Sequence, residues 1–151
     1  MRWRALLRSK SGLVGTIIVA TGFRLFDPGK IPQYGYGRYP NVFTTLEVER
    51  LVNSSGPTAG EIRLRDGRTP RSVGFILCVG SRDHRTHPWC SRTCCMHSMK
   101  LALLIREHTG AEVTIFYMDM RAYGKGFEQY YRRAADELGV RFIRCMISEV
   151  K

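Results

Sequence analysis

The sequence has no apolar run long enough to cross a membrane. Stretches such as Thr16–Ala20 and Val73–Val79 fall well short of the ~20 residues that a spanning helix needs. It has no credible secretory leader, because basic Met1–Lys10 is followed by neither an apolar segment nor a small-residue cleavage site. A cytoplasmic location is therefore expected. Internal repeats and low-complexity tracts are missing too. Acidic residues are few: 13 Asp and Glu face 24 Lys and Arg, a formal charge of +11. No block of five basic residues occurs between Arg2 and Lys151, which argues against a nucleic-acid arm. An acidic partner or an anionic cofactor answers the same charge. What is not lacking is material for a core. With 151 residues, 44% hydrophobic and 25% charged, the chain suits about one folded domain and is not disordered.

Leu13–Ala20 is apolar and β-branched and reads as a buried strand. Asp27 to Asn41, rich in Pro and Gly, reads as a long irregular loop. A short helix is expected from Thr44 or Thr45 to about Asn53, with Glu47 in its first turn. From Ser72 the pattern becomes regular. Val73–Val79 is a strand, and a cysteine-bearing loop follows it. Thr93–His108 is a helix stopped by Gly110. Glu112–Met118 is a strand, Phe127–Leu138 a helix stopped by Gly139, and Val140–Ile147 a third strand. This β-α-β-α-β order predicts an α/β fold with a parallel sheet, half of a dinucleotide-binding domain. The stripe Phe127, Tyr130, Tyr131, Ala134 and Leu138 reads as core packing, as do Met96 and Met99.

A dinucleotide-binding unit needs a G-x-G-x-x-G turn after its first strand, so that the backbone can approach a pyrophosphate. Here that turn is a long loop from Cys78 to Cys95 in which Gly80 is the only glycine. Nucleotide binding is therefore not expected at this mouth. Thiols occupy it instead. Five cysteines occur, and four of them, Cys78, Cys90, Cys94 and Cys95, are spaced C-x11-C-x3-C-C. An odd count in a tight cluster points to a reducing compartment and a metal site rather than a disulfide framework. Adjacent cysteines on a helix point ~100° apart, awkward for one tetrahedral ion and easier for a cubane. A thiolate-ligated [4Fe–4S] cluster is anionic and suits the free N–H groups of a helix start. Arg82, Arg85 and Arg92 are either compensating charges or a solvated loop. The spacing matches neither a usual zinc pattern nor a ferredoxin run. Zinc, with His84, His87 or His97 as further ligands, and a redox or structural thiol set stay open. Cys145 reads as a small hydrophobe in an apolar strand, and Asp119 as structural.

Four stretches together resemble the A subunit of heterodisulfide reductase. They are Cys78–Asp83 with Trp89–Met96, Tyr34–Pro40, Ile115–Ala122, and Gly124–Phe127 with Tyr131–Arg133. The resemblance runs from about Gly15 to Ile147. It implies an iron–sulfur flavoprotein, related in fold to thioredoxin reductase, that carries electrons towards reduction of a thiol-cofactor heterodisulfide in methanogenesis. It implies Cys78, Cys90, Cys94 and Cys95 as ligands of a [4Fe–4S] cluster. Ala20-Thr21-Gly22 resembles the Ala-Thr-Gly at which such flavoproteins approach the flavin. Arg121 and Lys125 would then be candidates to reach the edge of FAD. The implied partners are other subunits of the complex and an electron-donating hydrogenase or dehydrogenase. The family's phosphate-binding glycines and flanking ferredoxin-type cysteine runs are absent, so an internal piece of a larger polypeptide is expected. On this reading residues 1–60 are an incomplete flavin-domain segment and residues 61–151 a Rossmann-like cluster-binding unit. No acid–base catalyst stands out, and a fragment inactive alone and weak in FAD binding is expected. The competing reading is a zinc-bearing, basic nucleic-acid-binding module.

Overall fold

A computed structural model describes residues 15, 16, 18–20, 22 and 24–151. Pro28–Lys30 and Pro32–Tyr34 form two short 3-10 turns within the expected irregular loop. Helix α1 spans Thr45–Val52 and begins with a full capping box. The Thr44 hydroxyl accepts the Glu47 N–H at 3.2 Å, and the Glu47 carboxylate accepts the Thr44 N–H at 2.7 Å. Next come strand β1 (Ser72–Ile76), helix α2 (Cys94–Thr109), strand β2 (Glu112–Tyr117), helix α3 (Phe127–Arg132) and strand β3 (Arg141–Arg144).

The three strands form one parallel sheet in the order β1-β2-β3, the α/β arrangement expected. Parallel neighbours cannot be joined by a tight turn, so a helix crosses between each pair. Phe75 pairs with Ile115, and Ile115 with Phe142, placing one row of large side chains on a common face. Val113 and Ile115 are buried there with Met99, Leu101, Ala102 and Ile105 of α2. Each such aliphatic side chain stabilises the fold by about 1.5–3 kcal/mol. Helix α2 packs against both α1 and the sheet. Glu49 of α1 accepts from Lys100 Nζ at 2.6 Å and meets His97 Nε2 at 3.0 Å.

Helix α2 ends at Gly110, whose φ of 69° is left-handed. Arg106 in its last turn donates to the carbonyls of Gly110, Ala111 and Leu138 at 2.8, 2.9 and 3.0 Å. One guanidinium thus neutralises the negative helix end and fixes the approach to β3.

Three expectations need correction. The described residues of Leu13–Ala20 form no strand, and Ile18 and Val19 are exposed. A strand needs a hydrogen-bonded neighbour, and among the described residues none lies beside it. The helix expected over Phe127–Leu138 is α-helical only to Arg132 and continues as a wider π turn over Arg133–Glu137. There the Leu138 N–H closes on the Arg133 carbonyl, Val140 on Ala134, and Gly139 turns the chain into β3. Phe127, taken as core, is 38% exposed and lies over Gly124, while Ala134 of the same stripe is buried. Finally, β3 is shorter than Val140–Ile147. Past Cys145 the chain leaves the sheet, because Tyr34 Oη donates to the Ile147 carbonyl and the Val150 N–H to that of Gln33.

Candidate metal centre

The mouth lies where β1 and β2 end and α2 begins. Cys78 follows β1 by two residues and has a left-handed φ of 62°. Arg82 and Arg92, also non-glycine, share that conformation at 62° and 65°. Such residues are held against their preference only where surrounding contacts over-determine them. Those contacts fold the loop back on itself. The Arg82 N–H donates to Trp89 and the Asp83 N–H to His87, each at 3.1 Å. The Gly80 carbonyl accepts from the Thr86 hydroxyl at 3.0 Å and from His87 Nδ1 at 3.1 Å. The Arg92 N–H donates to Cys90 Sγ at 3.3 Å, and Cys90 acts on the charge of Cys95.

Cys94 and Cys95 open α2, whose Thr93 side chain caps no N–H, leaving the positive helix end directed at the thiols. The two point in different directions, as adjacent helical residues must. Cys94 lies against the thiols of Cys78 and Cys95, and with them forms one electrostatic unit. Hydrogen bonding from Cys78, then from Cys95, holds the Cys94 thiol well below its ordinary value. The same contact with Cys94, followed by burial, raises Cys78 and Cys95. Cys95 is buried and faces the loop after β2, where the Arg121 N–H donates to its Sγ at 3.4 Å. All five cysteines are free thiols.

Asp119, just beyond β2, ties this loop together. It accepts from Arg82 Nη2 at 2.7 Å and from Arg144 Nη2 at 3.1 Å. The Arg82 bond first, and then the charges of Arg82 and Arg144, keep its carboxyl below the usual carboxylate range. The structural reading of Asp119 agrees with these bonds. Arg85, itself exposed, pairs only with half-buried Asp83, and Arg92 lies over Tyr123, its Nε 2.5 Å from the phenol oxygen.

The histidines turn away from the thiols. His87 is held by Gly80 between the rings of Phe26 and Trp89, His97 by Glu49, and His84 is exposed. Among the described residues, no three His, Cys, Asp or Glu side chains converge tightly enough to hold a single metal ion. Irons of a cubane are spread over several ångströms, so a wider thiol set suits them better. The surroundings carry positive charge, from the start of α2 and from Arg82. Arg82 Nη1 is the one buried side-chain nitrogen or oxygen among the described residues that lacks a hydrogen-bond partner. It belongs to a guanidinium that stands beside Cys78.

The flavin candidates come together less well. Ala20 and Gly22 are exposed, Thr21 lies outside the described residues, and Arg121 and Lys125 carry exposed side chains. No hydrogen bond among the described residues joins these two groups. Arg121 contributes its backbone N–H to the thiol site instead. Cys145 is half-buried rather than core. With Tyr34, Arg82, Phe116 and Ile147 it lines a cavity of about 290 Å³ that also reaches Cys78. Sequence reasoning missed that cavity, the Arg144–Asp119 bond and the left-handed residues. A lone arginine near the end of a strand was the only available signal.

The fold is a Rossmann-like α/β unit with thiols where a dinucleotide-binding unit has its phosphate-binding turn. This chain is homologous to a segment of the heterodisulfide reductase A subunit. It is 53% identical over 140 residues to iron–sulfur A subunit 2 of the CoB–CoM heterodisulfide reductase of Methanopyrus kandleri, covering 91% of this chain and 21% of that protein. It is 58% identical over 134 residues, 87% of this chain and 20% of the other, to the A subunit of the H(2)/formate:CoB-CoM heterodisulfide,ferredoxin reductase of Methanococcus maripaludis. The A subunit of the ferredoxin:CoB-CoM heterodisulfide reductase of Methanosarcina mazei is 45% identical over 139 residues, 90% of this chain and 17% of its own. The chain thus spans about a fifth of the length of these curated relatives. No protein-family model matches it.

Proposed function

We propose that Cys78, Cys90, Cys94 and Cys95 hold a [4Fe–4S] cluster through which electrons pass in a heterodisulfide reductase-type complex. The observation that carries this is the mutual contact of the free thiols of Cys78, Cys94 and Cys95 at one end of the sheet, with Cys90 as a charged neighbour of Cys95, beside a buried guanidinium nitrogen that has no hydrogen-bond partner. The iron–sulfur name of the Methanopyrus relative supports it. Bound there, such a group supplies one-electron transfer without proton transfer. The chain's own residues do the rest. The two lobes of the site are held in register by Asp119, and the start of α2 and Arg82 supply positive potential. Residues 61–151 are the cluster-binding unit, and residues 1–60 belong to a flavin domain completed by further polypeptide of a parent protein.

FAD, on this reading, is a cofactor of that parent protein. Its pyrophosphate anchor has no counterpart here, and a flavin edge contacted by one or two side chains gains little affinity after the cost of association. The partners are the other subunits and an electron-donating hydrogenase or dehydrogenase, in keeping with the hydrogen and formate in the Methanococcus maripaludis relative's name. The chain alone is inactive. A cytoplasmic location fits, and among the described residues no helix is long and apolar enough to cross a membrane.

The test is anaerobic purification of the 151-residue chain, followed by iron, sulfide and zinc analysis. Iron and sulfide in equal amounts, about four of each per chain, are expected for a cubane. A colourless protein with one equivalent of zinc would select the zinc-bearing module. Equilibrium dialysis should show no stoichiometric FAD binding at low micromolar concentration.

A further inference from the structure

We infer that Arg82 is the residue that sets the reduction potential of the thiol site, with Asp119 as the brace that aims it. This rests on the cluster assignment above and goes beyond it, because it concerns a residue that is not a ligand. Four observations carry it. Arg82 has a left-handed φ of 62°, a conformation imposed on it by the doubled loop. Its side chain is 24% exposed, and one arm of the guanidinium is fixed on Asp119 at 2.7 Å. The other arm, Nη1, is buried without an acceptor. That arm belongs to a guanidinium within interaction distance of the Cys78 sulfur, and the two line one cavity.

A buried N–H group without an acceptor is unfavourable, and guanidinium is a strong, always charged donor. An acceptor placed among the four thiols, whether thiolate or inorganic sulfide, removes the penalty. Asp119 does not cancel the charge, because it is shared between Arg82 and Arg144 and leaves one positive charge over. When one electron enters from a reductant, the site gains one negative charge and no bond breaks. A fixed cation close by stabilises that reduced state. Arg85 and Arg92 do not compete for this role, since each is spent on a neighbour at the surface.

The experiment is a dithionite titration of the full chain at controlled potential, read by electron paramagnetic resonance. Wild type, Arg82→Gln, Arg82→Lys and Asp119→Asn are compared, each with its iron and sulfide content. At a fixed potential, Arg82→Gln should lower the reduced-to-oxidised ratio by about tenfold. For a one-electron couple that is a midpoint lower by about 59 mV. Arg82→Lys keeps the charge and should shift the ratio by less than about threefold. Asp119→Asn removes the counter-charge and should move the midpoint upward. Full iron content with unchanged midpoints in Arg82→Gln and Asp119→Asn overturns the inference and leaves the cluster assignment standing. Absence of iron and sulfide from the wild type overturns the assignment itself, and this inference with it. Should Arg82→Gln lose its iron, Arg82→Met, which keeps the length of the side chain without its charge, decides: a lower midpoint supports the role, and an unchanged or higher one, or loss of iron from Arg82→Met as well, refutes it.

Discussion

Gly80→Ala tests whether the doubled loop is as tightly built as its contacts require. Gly80 is buried with a φ of +73°, and a Cβ there would run into the ring of Phe26, 2.6 Å from Cε1 and closer still to two other ring atoms. The left-handed conformation costs alanine about 1–2 kcal/mol. Forcing an aromatic ring aside adds about 1–3 kcal/mol, as overpacking does elsewhere. The ring cannot swing freely, since it sits edge-on to His87 at a centroid distance of 5.7 Å. His87 is itself held by the Gly80 carbonyl. The expected loss is therefore roughly 2–5 kcal/mol in urea unfolding of the full chain. Gly110→Ala is the control. Its φ is +69°, but a Cβ there would meet nothing within 4 Å, so only the backbone part should appear. Combining Gly80→Ala with Phe26→Ala should recover most of the excess in a double-mutant cycle. Should Gly80→Ala prove no more destabilising than Gly110→Ala, the packing of Phe26 onto the loop, and the rigidity argued from it, is wrong.

Serine replacement of Cys78, Cys90, Cys94 or Cys95 should each lower iron and sulfide content after anaerobic reconstitution, while Cys145→Ser should retain both. Equal loss in the Cys145 variant would mean the ligand set is misassigned. Thr44→Ala removes the capping box and should destabilise the chain by about 1 kcal/mol, read from urea midpoints. Glu49 is held below its ordinary value of 4.5 by its hydrogen bond from Lys100, with a smaller contribution from His97. A depressed carboxylate stabilises the folded state above its unfolded value and loses that contribution as the pH falls through its folded value. The stability advantage of wild type over Glu49→Gln should accordingly be present at about pH 6 and shrink below about pH 4. An advantage that is constant across that range would rule out the ion pair as its source.

The sequence by itself determined the β-α-β-α-β order and the parallel sheet. Apolar runs at Val73, Val113 and Phe142 and stops at Gly110 and Gly139 are local signals with local physical causes. It also offered four cysteines that flank the same strand, loop and helix start. Position in the chain could not say how they stand. That depends on Arg82 reaching Asp119 across 37 residues, and on left-handed backbone at Cys78, Arg82 and Arg92 that no residue preference announces. Nor could it show that Leu13–Ala20, apolar enough for a strand, has no strand beside it among the described residues, or that Cys145 lines a cavity with Cys78. Periodicity reports which residues prefer burial, whereas pairing, ion bridges and cavities depend on what the rest of the chain brings within a few ångströms. The tertiary structure alone decided the electrostatics of the thiol site, because a charge acts through its distance and surroundings, which residue order does not contain.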